Sequence, residues 1–238
     1  MTAPATTAPA TGPWRTAVVR EVRHPRPRSV VLRLDVPDRV PHLPGQHYVV
    51  RLRADDGYVA SRSYSLASAP ADPLVELYVE ELVEGEVSPY LAGAVEVGDE
   101  LEVRGPIGGW FVWDGTSPAV GVAGGSGVVP LVAMLRHARD LGTTDRLRLA
   151  VSARTLAELP YAEELAAAGA VLALSREASL SGRVAGRLAA EELMPLVTSG
   201  ATYFVCGSAP FAAGASDLLL TVGVAAADVR VERFGASG

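Results

Sequence analysis

The rhythm of this sequence changes once, at Asp114-Gly115-Thr116-Ser117-Pro118, and that change bounds what the chain can fold into. Before it, short runs rich in β-formers follow one another: Thr16–Val22, Val30–Val36, Tyr48–Arg53, Arg62–Ala67, Leu74–Val79 and Glu100–Val103. Turn signals such as Pro41-His42-Leu43-Pro44-Gly45 and Asp55-Asp56-Gly57 separate them. Runs of this length and spacing predict an antiparallel barrel or sandwich, interrupted by one helix near Ser88–Ala92.

After the change, strand and helix alternate. The predicted strands are Ala119–Ala123, Leu147–Ser152, Ala170–Leu174, Thr202–Cys206 and Val229–Glu232; the predicted helices are Val129–Leu141, Leu159–Ala168, Arg187–Met194 and Pro210–Val222. Such alternation implies a parallel sheet wrapped on both faces. The fold class is therefore β + α/β, with a β domain over residues 14–114 and an α/β domain over 115–238. Residues 1–13 are rich in Ala, Thr and Pro and are expected to form a disordered lead-in.

The 238 residues suffice for two cores. A net charge of −6 argues against a nucleic-acid binder, which carries a basic patch. The N-terminus lacks the basic start and apolar centre of a signal peptide, and the apolar runs are too short to span a bilayer. A cytoplasmic location, no membrane partner and a monomer are expected. The single cysteine, Cys206, allows neither an internal disulfide nor an iron–sulfur cluster held by cysteines of this chain alone. The four histidines show no metal-ligand spacing, so no metal site is expected.

Seven segments carry chemistry. In Arg62-Ser63-Tyr64-Ser65, strand alternation puts Arg62 and Tyr64 on one face and Ser63 and Ser65 on the other. Arg offers a permanently charged fork for phosphate oxygens, Tyr a face for stacking, and Ser65 a hydrogen bond to a ring heteroatom. A stacked Arg/Tyr pair on a solvated strand explains the same residues about as well. At Gly85-Glu86-Val87-Ser88-Pro89, Ser88 suits an N-cap and Pro89 a first helical position; the free N–H groups there are a seat for pyrophosphate, or simply an ordinary capped helix. Gly105-Pro106-Ile107-Gly108-Gly109 reads as a tight turn leaving the β domain.

Gly124-Gly125-Ser126-Gly127 follows an apolar strand and opens a helix, the setting in which a glycine turn cradles a diphosphate. It is neither Gly-x-Gly-x-x-Gly nor a nucleotide-triphosphate loop. Ser152 and Arg154 fall at the end of the next strand, where an adenosine ribose would lie; an Arg there accommodates a 2′-phosphate, and Arg176 after the third strand is placed to help. Surface arginines in loops are the competing reading. Cys206-Gly207 is another strand-to-helix turn, and Val231-Glu232-Arg233-Phe234 brings an aromatic to the end of the last strand.

In this order, from Trp14 to Gly235, these segments resemble the ferredoxin–NADP reductase superfamily, and within it short bacterial FAD-dependent reductases that feed oxygenases or ferredoxins. The resemblance implies an FAD-binding barrel followed by an NAD(P)-binding domain. It implies that Arg62 pairs with the FAD pyrophosphate, that Tyr64 stacks on the flavin and that Ser65 bonds near its N5. Tyr78, Val79 and Glu80 would line the cofactor, and Val87 and Ser88 would hold the pyrophosphate. Gly124, Gly125, Ser126 and Gly127 would bind the dinucleotide, with Cys206 and Gly207 beside the nicotinamide. Ser65, Cys206 and Glu232 are the implied catalytic residues, and Phe234 would cover the flavin. The cofactors implied are FAD and NADPH, with NADH possible, and the partner is a separate ferredoxin or oxygenase component. Ser208 departs from the family's usual Cys-Gly-Pro, and Glu80-Glu81 stands where relatives often carry a basic residue. The alternative reading is a non-catalytic flavin-binding regulatory protein with a degenerate nicotinamide site; a fold-only relative that binds neither cofactor is a third.

Overall fold

A computed structural model describes residues 12–179 and 182–234. The expected lead-in therefore lies, up to residue 11, outside the described residues, as do residues 235–238. The first sheet holds β1 (Arg15–Arg23), β2 (Ser29–Asp35), β3 (His47–Arg53), β4 (Val59–Ser65), β5 (Val75–Glu80) and β6 (Glu100–Ile107). Its order is β4-β3-β6-β1-β2-β5. Every pairing within it is antiparallel. An isolated bridge between Leu66 and Leu77 joins the two edges, so the sheet curls into a barrel. Alternation does the folding here: Ala17, Val19, Leu32, Leu34, Val50, Leu77 and Val103 all point into one buried cluster. The helix α1 (Ser88–Gly93) lies between β5 and β6 and contributes Leu91 to that cluster.

The second sheet holds β7 (Ala119–Gly124), β8 (Leu147–Ala153), β9 (Val171–Leu174), β10 (Thr202–Ser208) and β11 (Val229–Phe234), in the order β11-β10-β7-β8-β9. All its pairings are parallel. The β7 run has no polar alternation because both its faces are covered. On one side pack Leu131, Met134 and Leu135 of α2 (Val129–Leu141) and Leu165 of α3 (Ala162–Ala167). On the other pack Leu193 of α4 (Ala190–Leu193) and Ala212, Ala215 and Leu219 of α5 (Ala209–Thr221).

The expected helix Val129–Leu141 matches α2 at both ends, because Gly142 at φ 69° supplies its left-handed stop. Two other helices are shorter than expected. Tyr161 adopts φ 56°, so α3 starts only at Ala162 instead of Leu159. Ala189 is extended, and α4 starts after it. The Arg187 carbonyl accepts a hydrogen bond from Arg183 Nη2 (2.7 Å), so the expected helical start at Arg187 is replaced by a side-chain-tied loop.

The crossing between sheets is pinned at several points. The Trp113 N–H donates to the Pro44 carbonyl (3.2 Å). Gly45 lies so close to the Phe111 carbonyl oxygen that a Cβ there would sit 1.7 Å from it. Arg230 Nη1 donates to the carbonyls of Trp110 (3.1 Å) and Val112 (3.0 Å). Among the described residues no helix is long and apolar enough to cross a membrane.

Candidate active site

The chain leaves β7 towards β8 and β9 on one side, then returns to place β10 and β11 on the other. The carboxyl ends of β7 and β10 therefore flank the switch point of the sheet, where open α/β folds bind ligands. Gly124 ends β7, and a single tight turn, Gly125–Val128, leads directly into α2. Gly125 takes φ 57° with open space around its missing side chain. At Gly127 a Cβ would lie 2.4 Å from the Cys206 carbonyl oxygen, and at Gly124 it would lie 2.7 Å from the Phe211 ring. Glycine is thus what lets this turn close onto the end of β10.

Cys206 and Glu232 are register partners across β10 and β11, as are Ser208 and Phe234. Cys206 is fully buried. Burial pushes its thiol well above the usual value, and Glu232 adds to this. Glu232 Oε2 is buried with no hydrogen-bond partner, and burial raises its carboxyl to about 7. Phe234 packs against the core cluster that contains Cys206. Ser208 caps α5 by accepting from the Phe211 N–H (3.4 Å).

On the barrel side, Arg62 and Tyr64 pair with Val50 and Tyr48 of β3 and share their face. Arg62 Nη2 forms an ion pair with Glu86 (2.9 Å), and its Nη1 donates to the Ser61 carbonyl (2.7 Å). The Tyr58 hydroxyl also donates to Glu86. Tyr64 is half-buried against the barrel core, and burial pushes its phenol up to about 12. Ser63 is exposed, whereas Ser65 is buried at the end of β4.

The loop expected to seat a pyrophosphate is built differently from the sequence expectation. Ser88 is not the cap of α1: Val87 occupies that position without a side-chain bond. The Ser88 hydroxyl instead accepts from the Leu82 N–H (3.0 Å) and folds the 82–88 loop onto itself. The side chains of Val87 and Val79 lie in the barrel core, and that of Tyr78 faces Tyr161 of the second domain at 5.8 Å between ring centroids. Glu80 is exposed.

Ser152 is the register partner of Gly124. Beyond it Arg154 is largely exposed, and its Nε is paired with Glu158 at 2.5 Å. The Arg176 N–H donates to the Arg154 carbonyl (2.9 Å), so the two arginines lie on adjoining loops.

The two halves meet at a small apolar cluster of Val31, Ala67, Tyr78 and Val129. Ala67 follows Ser65 by two residues, and Val129 opens α2 directly after the glycine turn. Thus the Ser65 strand end, the glycine turn, Cys206 and Glu232 form one continuous neighbourhood. Its residues fit a flavin and a dinucleotide. A cradle that any Cβ would fill lies at Gly124 and Gly127, and Arg62 presents an exposed fork that already holds an anion. Sequence reasoning did not single out Glu86, Glu76, Arg136 or Tyr161. Their partners lie far away in the chain, and no local spacing marks them.

A family model for the oxidoreductase FAD-binding domain matches residues 21–112. The propane 2-monooxygenase reductase component of Mycolicibacterium goodii is 32% identical over 182 residues, covering 71% of this chain and 51% of that protein. The glycine betaine monooxygenase reductase subunit of Chromohalobacter salexigens is 36% identical over 124 residues, covering 51% and 33%. The chain thus spans about half the length of the first of these relatives and a third of the second. Among solved structures, the flavohem-like FAD/NAD binding domain of nitric oxide dioxygenase from Vibrio cholerae superposes with a TM-score of 0.79 at 25% identity, over 93% of this chain and 98% of that one. A ferredoxin NADP+ reductase from Neisseria gonorrhoeae with bound FAD and NADP gives 0.80 at 20% identity, over 92% and 98%, a likeness of fold. Residues 21–112 thus belong to the oxidoreductase FAD-binding domain family, and the chain as a whole shares the fold of the FAD/NAD binding domain and of the ferredoxin NADP+ reductase on which it superposes.

Proposed function

We propose that this protein is an FAD-dependent NAD(P)H oxidoreductase that takes a hydride from NADPH and passes electrons to a separate ferredoxin, oxygenase component or other acceptor. The observation that carries the reading is the contact of Val129 with Ala67 and Tyr78, which sets the dinucleotide-type turn of one domain against the Ser65 strand end of the other. Bound FAD would supply the conversion of a two-electron donor into single electrons.

The chain's own residues do the rest. Arg62 binds phosphate oxygens in place of Glu86, and the Tyr64 ring offers a flat face beside it. Ser65 gives a hydrogen bond towards the flavin. Gly124, Gly125, Ser126 and Gly127 admit the dinucleotide backbone close to β10, and Cys206 with Gly207 forms the floor beside it. Glu232 can hold a proton near neutral pH, because its burial disfavours the carboxylate. Ser152, Arg154 and Arg176 receive the ribose end, and an Arg there favours a 2′-phosphate. Phe234 is the residue proposed to cover the flavin, and Tyr78, Val79, Glu80, Val87 and Ser88 shape the segments along it. The names of the relatives as oxygenase reductase components support a protein acceptor outside this chain. A cytoplasmic monomer is the accompanying proposal.

The test is an anaerobic absorbance titration of the FAD-loaded protein with NADPH and NADH in parallel. Rapid bleaching of the flavin band by NADPH, and slower bleaching by NADH, is the expected result. A flavin that binds and bleaches with neither nucleotide would replace this reading with the non-catalytic one.

A further inference from the structure

One carboxylate stands between the two domains. Glu76 of β5 is 3% exposed, yet its partners come from both sides. Its Oε1 accepts from Arg136 Nη1 of α2 (2.8 Å) and from the Tyr161 hydroxyl (2.9 Å). Its Oε2 accepts from Arg23 Nη2 of β1 (3.1 Å), with Arg33 Nε of β2 at 3.8 Å. Burial, and then Glu76 itself, push the Tyr161 phenol well above its usual value, so that hydroxyl remains a donor.

Arg136 extends the tie in both directions. Its Nη1 also donates to the Ala67 carbonyl (3.0 Å), and its Nη2 pairs with Glu164 of α3 (2.9 Å). Its guanidinium lies over the Tyr161 ring at 5.1 Å. Arg26 of the β1–β2 loop reaches across as well, donating to the Ala157 carbonyl (2.5 Å) and to that of Leu159. The apolar part of this contact is small, being Val31, Ala67, Tyr78, Val129 and Tyr161.

Buried ion pairs add little net stability, because desolvation offsets their attraction, but they are exacting about geometry. This one grips two informative points. Ala67 lies two residues beyond Ser65, and Arg136 sits on the helix that the glycine turn opens. Hydride transfer needs its two rings stacked within about 3–3.5 Å, and a small misalignment lowers the rate steeply.

We propose that Glu76 and Arg136 are positioning residues: their pair fixes the orientation of the two domains, and so the alignment of a dinucleotide at Gly124–Gly127 with a flavin at Ser65. The proposal rests on the oxidoreductase reading above. It assigns Glu76, Arg136 and Tyr161 no contact with either cofactor.

The test compares the full-length wild type with Glu76→Gln and with the milder Tyr161→Phe, which keeps the ring packing should the first variant fold poorly. Three quantities are measured: FAD affinity by fluorescence quenching, NAD(P)H affinity and flavin reduction rate by anaerobic stopped flow, and urea unfolding. The expected result is FAD and NAD(P)H affinities within about twofold of wild type, a reduction rate lower by about tenfold or more in Glu76→Gln, and a single unfolding transition that separates into two. An unchanged reduction rate with one retained transition would overturn the proposal, as would a parallel loss of FAD affinity that marks a general fault in folding. If neither nucleotide reduces wild-type flavin, the oxidoreductase reading fails by itself, and the unfolding comparison still decides whether the pair couples the domains.

Discussion

Cys206 and Glu232 lie side by side on neighbouring parallel strands; burial and then Glu232 make the Cys206 thiol harder to ionise, while burial raises the Glu232 carboxyl. Glu232 has no hydrogen-bond partner for its buried Oε2 to offset the loss of water. Its folded value of about 7 stands above the ordinary 4.5, so the native state holds the proton more tightly than the unfolded chain. The corresponding stability is fully present below about 4.5 and is lost as pH rises through about 7. Glu232→Gln is therefore expected to stabilise the protein near pH 8 by up to ~3 kcal/mol and to change little near pH 4. Urea unfolding of both proteins at the two pH values checks this; an equal effect at both would show that the carboxyl does not titrate where its burial puts it.

Arg62 is already engaged by an anion, the Glu86 carboxylate. An FAD diphosphate at Arg62 must displace it. Glu86→Gln is expected to tighten FAD binding by about twofold to fivefold, the scale of an exposed ion pair, whereas Arg62→Ala weakens it. Quenching of FAD fluorescence on titration with each apoprotein measures both. Looser binding by Glu86→Gln would mean that the carboxylate holds Arg62 in place for the cofactor.

Arg154 shares its charge with Glu158 in the same way. Arg154→Ala should raise the KM for NADPH by roughly tenfold and that for NADH much less. Glu158→Gln should act in the opposite sense and lower the NADPH value. Steady-state kinetics with the two nucleotides decide; equal changes for both would remove the 2′-phosphate from this corner of the fold.

Gly127 has backbone, not a flexible side chain, where its Cβ would be: the Cys206 carbonyl oxygen at 2.4 Å. Gly127→Ala must push β10 away from the turn. A loss of about 1–3 kcal/mol in stability is expected, together with a weaker dinucleotide complex and unaltered FAD affinity. Thermal unfolding and the two titrations check this.

The elements set by local rules were legible in the sequence. α2 is bounded by Pro130 at its start and left-handed Gly142 at its end, and both signals stand in the chain itself. The five parallel strands and the glycine turn were legible for the same reason. What escaped depended on distant partners. Ser88 has the composition of a cap, but the Leu82 N–H claims its hydroxyl. Tyr161 gives no sequence warning of φ 56°; its ring and hydroxyl are held by Tyr78 and Glu76 from the other domain. Glu76 lies in Val-Glu-Leu-Tyr-Val-Glu, where alternation suggests a solvated carboxylate, yet it is almost wholly buried. Pairs separated by 60 and 85 residues leave no periodic trace.

Arg230 belongs to the last strand, yet it holds the carbonyls of Trp110 and Val112, made more than a hundred residues earlier. During synthesis, N-terminal domains generally fold first. The barrel can then close its sheet while the second domain is still incomplete, but the clasp on the crossing segment must wait for residue 230. Until then the growing chain has two partners joined by an unfastened strap, and assembly of the interdomain crevice waits until residue 230 has been made.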